Sequence, residues 1–174
     1  MKRTLITIVV FGFLPSIARA ARCTDIAKVN FADGTLAVAG IHQTMQIFHF
    51  HHGVSLEYEG GDKKPDWRTT IRHDVVVKPE ASRAVRFLTL FRNHLTGSGS
   101  WTYLVGLACS GGHVQQVFQS AGVYMQVVKI SPMLVQVSMP VWKPADPTCC
   151  PSEKKEVRYT WEAKTHRYVL ARTE

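Results

Sequence analysis

An all-β domain of mostly antiparallel sheet, arranged as a sandwich and held by disulfides, is the fold class this sequence predicts. Three observations lead there. Beyond Cys23, apolar residues come in short alternating runs broken by turn residues, the pattern of half-buried strands. No heptad and no repeat of roughly 20–50 residues organises the chain. Four cysteines, an even number, follow a leader that directs export to a compartment where disulfides form and persist.

Residues 1–20 fit a secretory signal peptide. Lys2 and Arg3 charge its start, Thr4–Leu14 forms the apolar stretch, Pro15 and Ser16 end it, and Ala18-Arg19-Ala20 offers the small-x-small cleavage pattern. That apolar run is too short for a spanning helix, which takes ~20 residues. No second long apolar run follows, so no transmembrane segment is expected in the mature chain. Cys23 lies near enough to the cleavage site to raise lipid attachment, but Arg22 stands where a lipidation signal needs a small residue. An anchor at Cys23 is therefore not expected.

Cleavage after Ala20 leaves residues 21–174, the size of a single β-rich domain with one core. It removes Lys2, Arg3 and Arg19 and no acid, which lowers the formal net charge from +8 to +5. A basic chain in the periplasm or outside the cell suits an anionic envelope polymer or another exported protein as partner. Nucleic acid is not expected in that compartment.

The strands are expected in this order. Ile26–Phe31 and Thr35–Ala39 flank Ala32-Asp33-Gly34, and Asp-Gly suits the left-handed backbone of a tight hairpin. Gln43–His49 and Val54–Tyr58 read as a second pair around His51-His52-Gly53. Residues 59–66 (EGGDKKPD) form a polar loop. Thr69–Lys78 carries Val75-Val76-Val77, β-branched side chains suited to a pleated surface. Residues 80–95 admit two periods: Ala84, Phe87, Leu88, Phe91 and Leu95 fall at helical spacing, whereas Val85, Phe87, Thr89 and Phe91 alternate. The β flanks favour strand, with one short helix as the alternative. After the turn at Thr96–Ser100, Trp101–Cys109 (WTYLVGLAC) is apolar on both faces, as in a central strand. Ser110-Gly111-Gly112 turns the chain into His113–Gln119. Val123, Met125 and Val127 alternate, and Met133, Val135, Val137 and Met139 do so on the returning strand. Val157, Tyr159 and Trp161 share one face of a last hairpin that returns through His166–Ala171.

Two structural disulfides are expected among Cys23, Cys109, Cys149 and Cys150. Neighbouring Cα atoms stand ~3.8 Å apart across a trans peptide, short of the ~4.4–6.8 Å usual for a disulfide. Each member of the Cys149-Cys150 doublet is therefore expected to pair elsewhere, with Cys23 or Cys109. A bridge to Cys23 would close a loop worth ~4–5 kcal/mol in the chain-entropy model. A vicinal bridge would be labile, but no Cys-x-x-Cys and no βαβ pattern supports a redox centre.

The C-terminal half has a recognisable order. A strand apolar on both faces ends in Cys109-Ser110-Gly111-Gly112, a hairpin follows, and then comes Asp146-Pro147-Thr148-Cys149-Cys150-Pro151-Ser152 before a charged and aromatic strand, Val157-Arg158-Tyr159-Thr160-Trp161. Over roughly residues 97–170 the chain resembles the LppP/LprE lipoprotein family. That resemblance implies a secreted, β-rich, disulfide-containing domain, and it implies no reaction. The lack of a good lipidation signal departs from the lipoprotein members.

The stretch Phe48-His49-Phe50-His51-His52-Gly53 (FHFHHG) is the candidate for metal chemistry. On a strand His49 and His51 share a face, so both imidazoles can approach one ion. Zinc, with nitrogen at ~2.0–2.1 Å, or copper suits such ligands. A further ligand would come from His52, His42, His73, His94 or His113. Against this, no His-Glu-x-x-His or Cys-x-x-Cys occurs. The simpler assignment is exposed imidazoles at a strand end, with Phe48 and Phe50 packed behind them.

No catalytic residue is identified. Gly-x-Ser-x-Gly is absent, and the Gly-rich turns lack the lysine and helix of a phosphate loop. Asp62, Asp66, Asp74 and Glu80 are expected in loops, with no sign of a buried pair among them. Trp101, Tyr103 and Trp161 are assigned to the core rather than to a stacking surface. The expected function is an exported, non-catalytic binding or envelope-associated module with no cofactor. The alternative is a zinc- or copper-binding protein built on His49, His51 and His52.

Overall fold

A computed structural model describes residues 23–39, 45–59, 64–80, 82–97, 99–147 and 150–171. The expected signal peptide and its cleavage site lie outside the described residues, as do His42, Gln43, Asp62 and Cys149. The strands are β1 (Gly34–Ala39), β2 (Met45–Phe50), β3 (Val54–Glu57), β4 (Trp67–Val77), β5 (Val85–His94), β6 (Ser100–Ser110), β7 (His113–Val123), β8 (Gln126–Ile130), β9 (Leu134–Val141), β10 (Glu153–Glu162) and β11 (Arg167–Leu170). A single 3₁₀ turn, Ile26–Lys28, precedes them. The all-β expectation holds, and among the described residues no helix is long and apolar enough to cross a membrane.

Burial on both faces decides the middle of the fold. β6 is buried from Thr102 to Ala108, as its two-sided apolar sequence requires, and β5 is buried from Phe87 to Leu90. Together they form the centre of a five-stranded antiparallel sheet ordered β3-β4-β5-β6-β7. The segment with two admissible periods is therefore strand β5. Glycine serves two separate purposes on β6. At Gly106 an added Cβ would lie 2.9 Å from Phe118 Cβ and 3.0 Å from Phe87 Cε1, so only glycine lets those rings close over the strand. At the far end, Gly111 and Gly112 take φ of 59° and 80°, the left-handed pair that a two-residue hairpin needs.

The central sheet divides the apolar interior in two, where one core was expected. On one face Val85, Phe87, Leu104 and Phe118 meet Val135, Val137, Trp161 and Tyr168 of a four-stranded sheet ordered β11-β10-β9-β8. Its aromatic rings meet edge to face, Phe118–Tyr159 at 4.9 Å and Trp161–Tyr168 at 5.0 Å, the arrangement their quadrupoles favour. Burial pushes the Tyr168 hydroxyl up to about 12, and it donates to the carbonyls of Ser131 and Pro132. On the other face Leu88, Leu90, Tyr103, Val105 and Leu107 are covered by Leu36, Val38, Phe48 and Phe50 of the β1–β2 ribbon, with Cys23, Ile26 and Phe31 beside them. The assignment of Tyr103 and Trp161 to the core holds, at 2% and 8% exposed.

Three local expectations are corrected. Ile26–Phe31 is not a strand: Asp25 caps the 3₁₀ turn through Ala27 N–H, and Arg86 takes the carbonyls of Ile26, Ala27 and Val29. With those carbonyls engaged, β1 pairs with β2 instead, Gly34 opposite Phe50. The expected β2–β3 pair shrinks to one bridge, His51 to Val54, because β3 leaves to pair with β4. Asp74 lies in β4 rather than in a loop, and its carboxylate is gripped by both Nε and Nη2 of Arg86.

Candidate functional site

Cys23 is bonded to Cys109, with Cα atoms 5.4 Å apart. This overturns the expected pairing of Cys23 and Cys109 with the doublet. The cause is local: Cys23 N–H donates to Gly112 O at 2.7 Å, so the β6–β7 turn holds the Cys23 segment against the end of β6. Cys150 is also disulfide-bonded. Its partner lies outside the described residues.

The segments on either side of Cys149 are joined by their own side chains. One oxygen of Asp146 accepts from Lys143 N–H at 2.8 Å, Ser152 N–H at 2.9 Å and the Ser152 hydroxyl at 3.0 Å. These donors, the Lys143 amide foremost, hold the Asp146 carboxyl below the usual carboxylate range. Asp146 and Ser152 thus clamp the two ends of the Asp-Pro-x-Cys-Cys-Pro-Ser stretch. The motif builds a loop.

The histidines divide. Phe48 and Phe50 point inward, 0% and 5% exposed, while His49 and His51 face out, as the alternation requires. His49 is hydrogen-bonded through Nδ1 to Thr35 Oγ1 at 3.0 Å, across the β1–β2 ladder. His51 and His52 turn instead toward each other and Asp33, whose ligand atoms with theirs lie within 4.8 Å. His73 and His113 lie apart on β4 and β7, and His94 packs edge-on against Trp67. Asp33 was read as a turn residue, and its sequence neighbours carry no sign of a ligand role.

A cleft of about 430 Å³ opens between the two main sheets, near the end of β6 and the β10–β11 hairpin. That volume is within the range of small-ligand pockets, ~300–1,000 Å³. Arg83, Ser110, Gln115, Trp161, His166 and Arg167 form much of its wall, and among the described residues no carboxylate lines it. Arg83 Nη1 donates to Cys109 O at 2.9 Å, which fixes the guanidinium beside the disulfide. The Trp161 ring lies 6.2 Å from His166, and its buried Nε1 has no protein partner. On the other side of Arg83 a second hollow of about 540 Å³ shares Ser82, Arg83 and Cys109 and adds Lys78. Its one acid, Asp25, is already paired with Lys28 at 3.7 Å. The pair of hollows is thus a cationic groove centred on Arg83. Arg83 and Arg167 escaped the sequence reading because a lone arginine carries no motif; their approach depends on how the sheets stack.

The model of the LppP/LprE lipoprotein family matches residues 108–164. The matched stretch runs from the end of β6 through β7–β10 and contains the clamped doublet loop and Trp161. The resemblance therefore covers one wall of the cleft, while Arg83 and the β1–β2 ribbon lie outside it. No curated protein and no solved structure matches the chain.

Proposed function

We propose that the protein is an exported, envelope-associated binding module that holds an anionic polymer and catalyses nothing. The observation that carries this reading is the pair of hollows around Arg83, lined by Arg83, Arg167 and Lys78, where among the described residues the carboxylate in the lining is Asp25, paired with Lys28. Ser82, Ser110, Thr165, Gln115 and Trp161 line the same cleft as Arg83 and Arg167. A carboxylate-bearing saccharide offers what such a wall can use: charge for the guanidiniums, hydroxyls for the polar side chains and a ring face for the aromatic.

Envelope association is supported by the resemblance to lipoproteins over residues 108–164, and export to the periplasm or beyond by the leader. The mature protein is proposed to carry no lipid at Cys23. A lipid there occupies the cysteine sulfur, and that sulfur is bonded to Cys109.

Calorimetric titration of the mature protein with an oligogalacturonate tests the reading, with a neutral oligosaccharide of equal length as control. Binding is expected for the acidic chain alone, weakened tenfold or more by Arg83→Gln with Arg167→Gln and by added salt. Equal binding of both saccharides, or none of either, overturns it.

A further inference from the structure

The turn after β2 carries a second, separate arrangement. His51 N–H donates to Val54 O at 2.8 Å and Val54 N–H to His51 O at 3.1 Å, which leaves His52-Gly53 as a two-residue turn. Its φ values are 50° and 76°, both left-handed. Asparagine, aspartate or glycine normally takes the first of those positions, and an imidazole held there is a local cost of the kind found where a side chain has a task.

That turn is tied to the segment before β1 by two bonds. Gly53 N–H donates to Ala32 O at 2.8 Å, and His52 N–H to Asp33 Oδ1 at 2.8 Å. Asn30 fixes the same segment by accepting from Ala32 N–H and Asp33 N–H. The consequence is a preset trio. Nδ1 of His51 lies 3.5 Å from Asp33 Oδ1, Nδ1 of His52 lies 3.6 Å from it, and the two rings are 4.1 Å apart.

Those separations have a chemical meaning. Donor atoms each ~2.0–2.1 Å from a tetrahedral ion stand roughly 3.3–3.4 Å from one another. The Asp33–His51 and Asp33–His52 pairs need only a few tenths of an ångström to meet that condition.

We propose that Asp33, His51 and His52 bind one transition-metal ion of the zinc or copper class, with its remaining position open to solvent. His49 takes no part, since it lies outside the cluster of ligand atoms that Asp33, His51 and His52 bring within 4.8 Å of one another. The site goes beyond the anion cleft and stands or falls without it: Asp33 and both histidines are exposed and none lines the Arg83 groove.

Mature protein without a His-tag, titrated with Zn²⁺ by calorimetry and with Cu²⁺ by visible absorption, tests the proposal. Uptake of one ion is expected, with affinity at least tenfold lower in Asp33→Asn, His51→Ala and His52→Ala and unchanged in His49→Ala. In the unaltered protein, Cu²⁺ should broaden the ring protons of His51 and His52 before those of the other histidines, a readout independent of any variant's folding. Absence of saturable uptake overturns the site. So does loss of binding in His49→Ala with Asp33→Asn unaffected, or broadening spread evenly over the histidines.

Discussion

Replacing both Cys23 and Cys109 by alanine removes a cross-link that spans 86 residues. In the chain-entropy model a loop of that length restrains the unfolded chain by ~4.6 kcal/mol at 25 °C. Cys23 is 4% exposed and packs among Ile26, Phe31 and Leu107, so the variant also loses some burial. Its clamp does not vanish altogether: Cys23 N–H still reaches Gly112 O, and Arg86 still holds three carbonyls of the following turn. Those bonds keep the segment in place in the folded state, so the loss acts chiefly through the unfolded one. For a chain of this size each kcal/mol moves the melting midpoint by ~2–4 °C, which makes the drop roughly 9–18 °C. Urea unfolding followed by tryptophan fluorescence, under non-reducing conditions, gives the free energy directly. A loss under ~1 kcal/mol would refute the reasoning, because a loop this long cannot be that weakly felt in the entropic account. A peptide map joining Cys23 to the 149–150 segment would refute it independently.

Gly106→Ala drives a methyl into Phe118 and Phe87 at the centre of the larger sheet. Overpacking of this kind costs ~1–3 kcal/mol, read as a lower urea midpoint with unchanged slope; no change would mean the rings have room. The Asp146 carboxylate is held by Lys143 and Ser152, and its lowered pKa fixes the sign of its pH dependence. The clamp is fully present above the ordinary carboxylate range and is lost as pH falls through the lower, folded value. The Ser152 amide resonance should accordingly titrate with a midpoint below ~3.9; a midpoint at or above that value contradicts the clamp.

Strand β6 was legible because Trp101–Cys109 is apolar on both faces, and a segment buried on both faces needs no partner to announce itself. Strand β5 was harder for the same physical reason. Leu88 and Leu90 face one core and Phe87 and Thr89 the other, and this double burial mimics helical spacing. Residues 26–31 were misread because what forbids a strand there is Arg86, about sixty residues away. The cysteine pairing failed differently. The Cα distance within the doublet says nothing about where Cys23 lies, and Cys23 is held by Cys109 and by its backbone bond to the β6–β7 turn. Two members of the proposed metal trio were visible in the adjacent histidines. Asp33 was not, since Asp-Gly reads as a turn and its contact with His52 exists only after β1 and β2 pair in register.

The central claim is that the Arg83 groove receives an anionic chain. A ¹H–¹⁵N correlation spectrum of the mature protein, recorded while an oligogalacturonate is added, tests it most directly. The Trp161 indole N–H and the amides of Ser110, Gln115 and Arg167 line or adjoin that cleft, and the account predicts that they shift first and saturate together. Shifts confined to the exposed lysines of β10, with the Trp161 indole unmoved, would contradict it.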